Sequence, residues 1–171
     1  MIVVMGSGMT LGQGRVAEPW NWVANVALLL QLPLGHSFFL TESGRRILKR
    51  FAPRSIASDM APTVYVIIAA LQLLALFALW TPSGVVWWQA EGALLPVFLL
   101  LFAASWALLG LSNLTSGIEL QSGFNGWSAV FRGQRVSYPD LATHGIFRFT
   151  RNPIYLSFAL TTWTVPVWTP D

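Results

Sequence analysis

The chain has 171 residues, of which 54% are hydrophobic and only 10% are charged, and its mean hydropathy is +0.58. Soluble domains are roughly one-quarter charged, so this composition excludes an ordinary soluble protein and indicates a helical integral membrane protein. The net charge of +3 does not indicate a partner nucleic acid, because nearly all of the 10 basic residues fall in two blocks between apolar segments.

Metal and thiol chemistry are poorly supported by the residues present. The chain has no Cys, which excludes disulfides, thiol catalysis and Cys-ligated metals. Its two His residues, His36 and His144, form no recognisable ligand set. We therefore predict no metal site.

The apolar segments predict a single domain of about four membrane-spanning helices, preceded by a flexible, glycine-containing N-terminus at residues 1–19. The predicted spans are residues 20–40, 62–80, 92–113 and 154–170. Pro33 and Gly35 should bend the first span, and His36 lies just below that bend. A membrane His is a functional candidate, but His36 can equally bond a freed carbonyl group or sit at the interface.

The charges predict how the chain is oriented in the membrane. Loops 41–61 and 113–152 carry the two basic blocks, whereas loop 81–91 has no basic residue. Because cytoplasmic loops are enriched in Lys and Arg, we predict that the two basic loops are cytoplasmic and that the N-terminus is outside, in a bacterial inner membrane. Loop 113–152 contains too many aromatic residues for disorder and should fold as a cytoplasmic cap.

The segment before the fourth span contains an unusual set of polar and helix-breaking residues. Pro153 suits the first turn of a helix, and the residue before it, Asn152, is held in an extended conformation. The free N–H groups of such a helix start favour a carboxylate or phosphate. Phe147 and Tyr155 offer flat faces for stacking. The segment therefore suits a small charged ligand with an aromatic ring, although a lipid-anchoring role would also explain its arginines.

The pattern from His144 to Tyr155, His-Gly-Ile-Phe-x-x-x-Arg-Asn-Pro-x-Tyr, resembles the cofactor motif of the isoprenylcysteine carboxyl methyltransferase and phospholipid methyltransferase superfamily. Upstream features are similar to its bacterial methanethiol S-methyltransferase branch. They are Gly35-His36-Ser37, Tyr65-Val66, Trp80-Thr81-Pro82 and Phe131-Arg132-Gly133-Gln134-Arg135.

The resemblance implies an S-adenosylmethionine-dependent methyltransferase of the membrane that acts at its cytoplasmic face. It implies a thiol or carboxylate acceptor, such as a small thiol like methanethiol or the lipidated acceptor isoprenylcysteine. By position, it implies a cofactor site at Leu141, Ala142, Phe147, Asn152, Pro153, Ile154 and Tyr155. Arg151 would orient the loop or neutralise a carboxylate, and His144 is the nearby candidate for proton transfer.

Two residues depart from the family pattern, and the family has a further segment. Asn152 stands where the family often has His, and Phe147 stands where it has Tyr. In the family another helix follows, with a Glu-rich motif, and this sequence stops before it. The expectation is therefore a fragment or a shortened relative. Two alternatives are a non-catalytic scaffold or partner protein of the same fold and an unrelated small transporter or channel subunit.

Overall fold

The computed structural model describes residues 1–137, 140 and 142–171. Its helices, numbered in chain order, are α1 (Ile2–Gly6), α2 (Trp20–Leu40), α3 (Glu42–Leu48), α4 (Ala57–Leu79), α5 (Leu94–Ser116), α6 (Ile118–Gln121), α7 (Phe124–Phe131) and α8 (Pro153–Trp163). There are 3-10 turns at Lys49–Phe51 and Gly145–Arg148, and two short strands, β1 (Trp88–Gln89) and β2 (Val167–Trp168), pair antiparallel.

Within this part of the chain, α2, α4 and α5 are long and apolar enough to cross a membrane. The outward faces of these helices carry large exposed apolar side chains such as Leu71, Leu74 and Leu100, whereas several of the most buried side chains are small and polar. This distribution suits a lipid environment. Burying apolar side chains gives no hydrophobic stabilisation in lipid, so helices associate through close packing instead. The predicted all-α integral membrane fold is therefore confirmed.

Helices α2 and α4 form an antiparallel pair that is joined by polar side chains at several depths. Near one end, the Asn25 side chain donates to the Thr81 carbonyl oxygen at 2.8 Å and accepts from the Thr81 N–H at 3.0 Å. Further along the pair, Gln31 and Gln72 each donate to the other's backbone carbonyl oxygen, at 2.9 and 2.7 Å. Gly35 lies beside this contact, and a Cβ atom there would force the Gln72 amide group to shift. Polar groups that lack water must find partners inside the protein, so these bonds fix the pair.

Helices α5 and α8 form a second pair, with small polar side chains at the contact. Ser112 of α5 and Ser157 and Thr161 of α8 are almost completely buried. Each bonds within its own helix; Ser157, for example, donates to the Pro153 carbonyl oxygen at 2.7 Å. Small residues whose hydroxyl groups are satisfied in this way let two helix backbones approach closely.

Helix α8 is shorter than the span predicted over residues 154–170. It ends at Trp163 after 11 residues, so it rises only about 16 Å, roughly half of a hydrocarbon core. Pro166 cannot continue a helix because it lacks a backbone N–H group. The backbone beyond Thr164 instead forms β2. The carbonyl oxygen of Trp168 in this strand accepts a hydrogen bond from the Trp87 N–H, and that of Pro166, just before the strand, accepts one from the Ala90 N–H, at 2.8 Å each.

The N-terminal segment, for which we expect flexibility, makes specific contacts in the structure. The Gly14 N–H donates to the Trp80 carbonyl oxygen at 2.9 Å, and the Thr169 hydroxyl donates to the Gly8 carbonyl oxygen at 2.7 Å. These bonds hold residues 1–19 against the end of α4 and the segment after α8. The predicted motif lies at the opposite end of the bundle, where α8 begins.

Candidate functional site

A cavity of about 830 Å³ lies at the start of α8. Its lining includes most of the residues predicted for the cofactor site. The lining residues are Ser116, Gln121, Asp140, Ala142, Thr143, Phe147, Arg151, Asn152, Pro153, Ile154 and Tyr155. Small-molecule sites are typically clefts of about 300–1,000 Å³, so the cavity is large enough for a nucleoside-sized ligand.

The start of α8 has the geometry expected from its Asn-Pro sequence. Asn152 has φ −130° and ψ 61°, outside the helical region, and Pro153 is the first helical residue and is buried. The first backbone bond of the helix runs from the Leu156 N–H to the Asn152 carbonyl oxygen at 3.1 Å. Among the described residues, the N–H groups of Ile154 and Tyr155 have no acceptor. Both residues line the cavity, so within the described part of the chain its wall includes N–H groups without an acceptor at the positive end of a helix.

The 3-10 turn at Gly145–Arg148 carries Phe147 into the cavity wall. Gly145 has φ +58°, a conformation that L side chains rarely adopt, and a Cβ atom there would lie 3.2 Å from the methyl group of Thr115 in α5. The turn closes through a bond from the Phe147 N–H to the His144 carbonyl oxygen at 3.2 Å. Glycine therefore lets this turn dock on the end of α5.

The cavity contains side chains of both charges. Arg151 and Asp140 both line it and both are exposed, and the described residues provide no carboxylate in ion-pairing distance of Arg151. A second arginine, Arg148, lies in the preceding turn and does not line the cavity. The guanidinium group of Arg151 and the carboxylate of Asp140 are therefore available for a ligand that carries both an anionic and a cationic group.

The other predicted site residues have different outcomes. His144 precedes the 3-10 turn in an extended conformation, is exposed, and is not part of the cavity wall. Leu141 lies outside the described residues. Sequence reasoning missed Ser116 and Gln121, because these come from the end of α5 and from α6, far from the motif in sequence. It also missed Asp140 and Thr143, although their position beside Leu141 and Ala142 was a usable signal.

His36 has a partner from the neighbouring helix. Its ring atom Nδ1 is hydrogen-bonded to the Tyr65 hydroxyl group, and the two ring centroids are 5.3 Å apart. The pair therefore links α2 to α4.

Several known proteins that are similar to this chain are methanethiol S-methyltransferases. It is 28% identical over 148 residues to methanethiol S-methyltransferase 1 of Bradyrhizobium diazoefficiens, a match that covers 86% of this chain and 50% of that protein. It is 28% identical over 148 residues to the methanethiol S-methyltransferase of Mycobacterium tuberculosis, covering 86% and 59%. It is 25% identical over 146 residues to the methanethiol S-methyltransferase of Crocosphaera subtropica, a match that covers 84% of this chain and 57% of that protein.

These matches confirm the similarity to the methanethiol S-methyltransferase branch that the sequence motifs predict. The chain spans about half the length of the curated relatives that it matches. No family model matches the chain, and no solved structure matches it.

Proposed function

We propose that this chain, given its similarity to methanethiol S-methyltransferases, is an S-adenosylmethionine-dependent methyltransferase of the membrane. The observation that carries the proposal is the cavity at the start of α8, which brings Arg151, Phe147 and Tyr155 together with the free N–H groups of the helix. The proposed site residues are those that the motif predicts and that line this cavity. The proposed domain is residues 20–171.

The residues of the cavity fit the chemical groups of this cofactor. A carboxylate would meet Arg151 and the free N–H groups of Ile154 and Tyr155. An ammonium or ribose hydroxyl group would find an acceptor in Asp140, and a purine ring could stack on Phe147 or Tyr155. When bound, S-adenosylmethionine supplies a methyl group attached to a positively charged sulfur.

The chain itself contributes positioning and the exclusion of water. Methyl transfer to a thiolate or carboxylate needs little proton transfer, so alignment of the two reactants accounts for most of the acceleration that the site must supply. Of the two residues proposed as catalytic, Arg151 lines the cavity and His144 does not.

The relatives favour a small thiol as the acceptor, because each is named for methanethiol. Transfer would break the bond between the methyl carbon and the sulfonium sulfur, join the methyl group to the thiol sulfur and release the thiol proton, so S-adenosylmethionine and methanethiol would give S-adenosylhomocysteine, dimethyl sulfide and a proton. A carboxylate acceptor such as isoprenylcysteine is the alternative. The position of the cavity at the end of a membrane bundle suits either kind of apolar acceptor.

We further propose that the cavity faces the cytoplasm of a bacterial inner membrane, with the N-terminus outside. The support is the asymmetry between loops 41–61 and 113–152, which are basic, and loop 81–91, which has no basic residue. A reporter fused after Glu91 should be extracytoplasmic. A cytoplasmic signal from a reporter at this position would show that the chain has the opposite orientation.

The first experiment is S-adenosylmethionine binding by the detergent-purified chain, measured by calorimetry, followed by headspace detection of dimethyl sulfide with methanethiol as acceptor. Binding in the micromolar range that is lost in the Asn152→Ala/Tyr155→Ala variant is expected. Thr162→Ala, near the other end of α8, is the matched control. Binding without transfer to any acceptor would favour a non-catalytic protein of the same fold, and no binding by folded chain would refute the proposal.

A further inference from the structure

Helix α7 presents three exposed aromatic rings on one face. Phe124, Trp127 and Phe131 are 54%, 48% and 81% exposed, and their spacing of three and four residues places them side by side. The ring centroids of Phe124 and Trp127 are 5.1 Å apart, and Trp127 stacks on Phe131 at 5.6 Å. These three rings, the aromatic face of α7, form one continuous apolar surface.

The opposite face of α7 is fixed to the start of α4, so the rings cannot turn inward. A Cβ atom at Gly126 would lie 2.6 Å from both the Asp59 carbonyl oxygen and the Thr63 hydroxyl oxygen. The Thr63 hydroxyl in turn donates to the Gly123 carbonyl oxygen at 2.6 Å. The exposure of the aromatic face is therefore set by close backbone packing and not by a loosely attached helix.

The contacts with α4 also indicate the depth of α7 in the membrane. Gly126 contacts the polar first turn of α4 at Asp59, and Gly123 contacts Thr63 and Val66, where the apolar run of α4 has begun. Helix α7 therefore lies alongside the level at which α4 passes from polar to apolar residues. Trp side chains are enriched at this level of a bilayer, and Trp and Phe form the apolar face of helices that lie at the membrane interface.

The charge next to α7 suits a lipid headgroup. Arg132 and Arg135 directly follow the helix and both are exposed. Basic residues at a membrane boundary attract anionic lipids, and an exposed apolar patch with a polar rim marks an interaction surface. We propose that the aromatic face of α7 inserts into the interfacial layer of the bilayer, with Arg132 and Arg135 binding the phosphate groups of anionic lipids. This proposal does not depend on methyl transfer.

The absence of Cys from the chain allows a direct test. Single variants Phe124→Cys and Phe131→Cys would carry a polarity-sensitive fluorophore, in nanodiscs of phosphatidylcholine with or without phosphatidylglycerol. Leu100→Cys, at a 71% exposed position within α5, gives the lipid-embedded reference, and Glu91→Cys gives the aqueous one. We expect blue-shifted emission at positions 124 and 131 and protection from iodide quenching that approaches that of position 100. Quenching equal to that of position 91 would overturn the proposal.

The arginines are tested separately with Arg132→Gln/Arg135→Gln in the labelled chain. Phosphatidylglycerol should increase protection from iodide in the parent chain, and the double variant should lose this increase while it keeps the protection seen in phosphatidylcholine. An unchanged phosphatidylglycerol effect would refute the role of the arginines. Protection that rises with protein concentration, together with disulfide-linked dimers of Phe131→Cys, would show that a second copy covers the aromatic face and would overturn the lipid proposal.

Discussion

The side chains of Gln31 and Gln72 each donate a hydrogen bond to the other residue's backbone carbonyl oxygen, at 2.9 and 2.7 Å, across the contact between α2 and α4. Both amide groups lie in membrane-spanning helices, where a polar group without a partner is costly. The two hydrogen bonds give the side-chain amide of each helix an acceptor on the other helix, at the same depth in the membrane. They therefore determine the register of the two helices as well as their association.

Replacing Gln31 with Leu should destabilise the protein by about 1 kcal/mol, the magnitude typical of one interhelical hydrogen bond in a membrane protein. The reason is that the Gln72 backbone carbonyl oxygen loses the hydrogen bond donated by the Gln31 side chain, while the Gln72 side chain keeps its bond to the carbonyl oxygen of residue 31. Because each bond ends on a backbone atom, Gln31→Leu/Gln72→Leu should cost about the sum of the two single changes. Unfolding in mixed detergent micelles measures the three free energies, and a cost well below that sum would show that the two bonds depend on each other.

Gly126→Ala should destabilise the protein by about 1–3 kcal/mol, the usual cost of forcing extra volume into a tight contact. The added methyl group would meet the Asp59 carbonyl oxygen and the Thr63 hydroxyl group. Gly110→Ala is the matched control, since a Cβ atom at Gly110 meets nothing within 4 Å, and it should be neutral or slightly stabilising. Equal effects at both positions would contradict the close packing of α7 on α4.

Arg151→Gln should weaken S-adenosylmethionine binding by about 10- to 100-fold, as expected for a hydrogen bond to a charged group worth about 1.5–3 kcal/mol. Arg148→Gln should leave the affinity within about twofold, because Arg148 is exposed and does not line the cavity. Calorimetric titration of both variants checks the prediction. A similar loss in both would indicate a general effect of positive charge rather than a contact of Arg151.

Tyr65→Phe should lower stability by about 1 kcal/mol, because it removes the hydroxyl group that is bonded to His36. If the pair only joins α2 to α4, cofactor affinity and the rate of methyl transfer should stay unchanged, and this is the expected outcome. Thermal unfolding and a transfer assay on the same preparation measure the two effects. A transfer rate more than tenfold lower in folded protein would instead assign the His36–Tyr65 pair to the reaction.

Local chemistry made the start of α8 predictable from the sequence. The proline ring fixes φ at a helical value and has no backbone N–H group that would need an acceptor. It also disfavours a helical conformation for the residue before it. Asn152 and Pro153 therefore predict the start of a helix whose first N–H groups are available to a ligand. The apolar runs in the same way predict membrane-spanning helices, because few other structures satisfy their backbone groups in lipid.

Contacts between distant segments were not predictable in the same way. Ser116 and Gln121 reach the cavity only because α5 packs beside α8, and no local pattern marks them. The end of α8 was misplaced because residues 164–170 remain apolar, while their backbone groups bond to other segments. Gln31 and Gln72 stand alone in apolar runs, and only the structure shows that each is the partner of the other.

The shortness of α8 has a consequence for how the chain is inserted during synthesis. With 11 helical residues, it is well below the roughly 17–25 residues of a transmembrane helix, so the helix by itself is too short to cross the membrane. Its buried Ser157 and Thr161 instead suit it to enter beside α5 as one half of a helical hairpin. We therefore expect α8 to enter the membrane only after α5 is in place. Insertion of α5 would then come first in the assembly of the site and would not depend on α8.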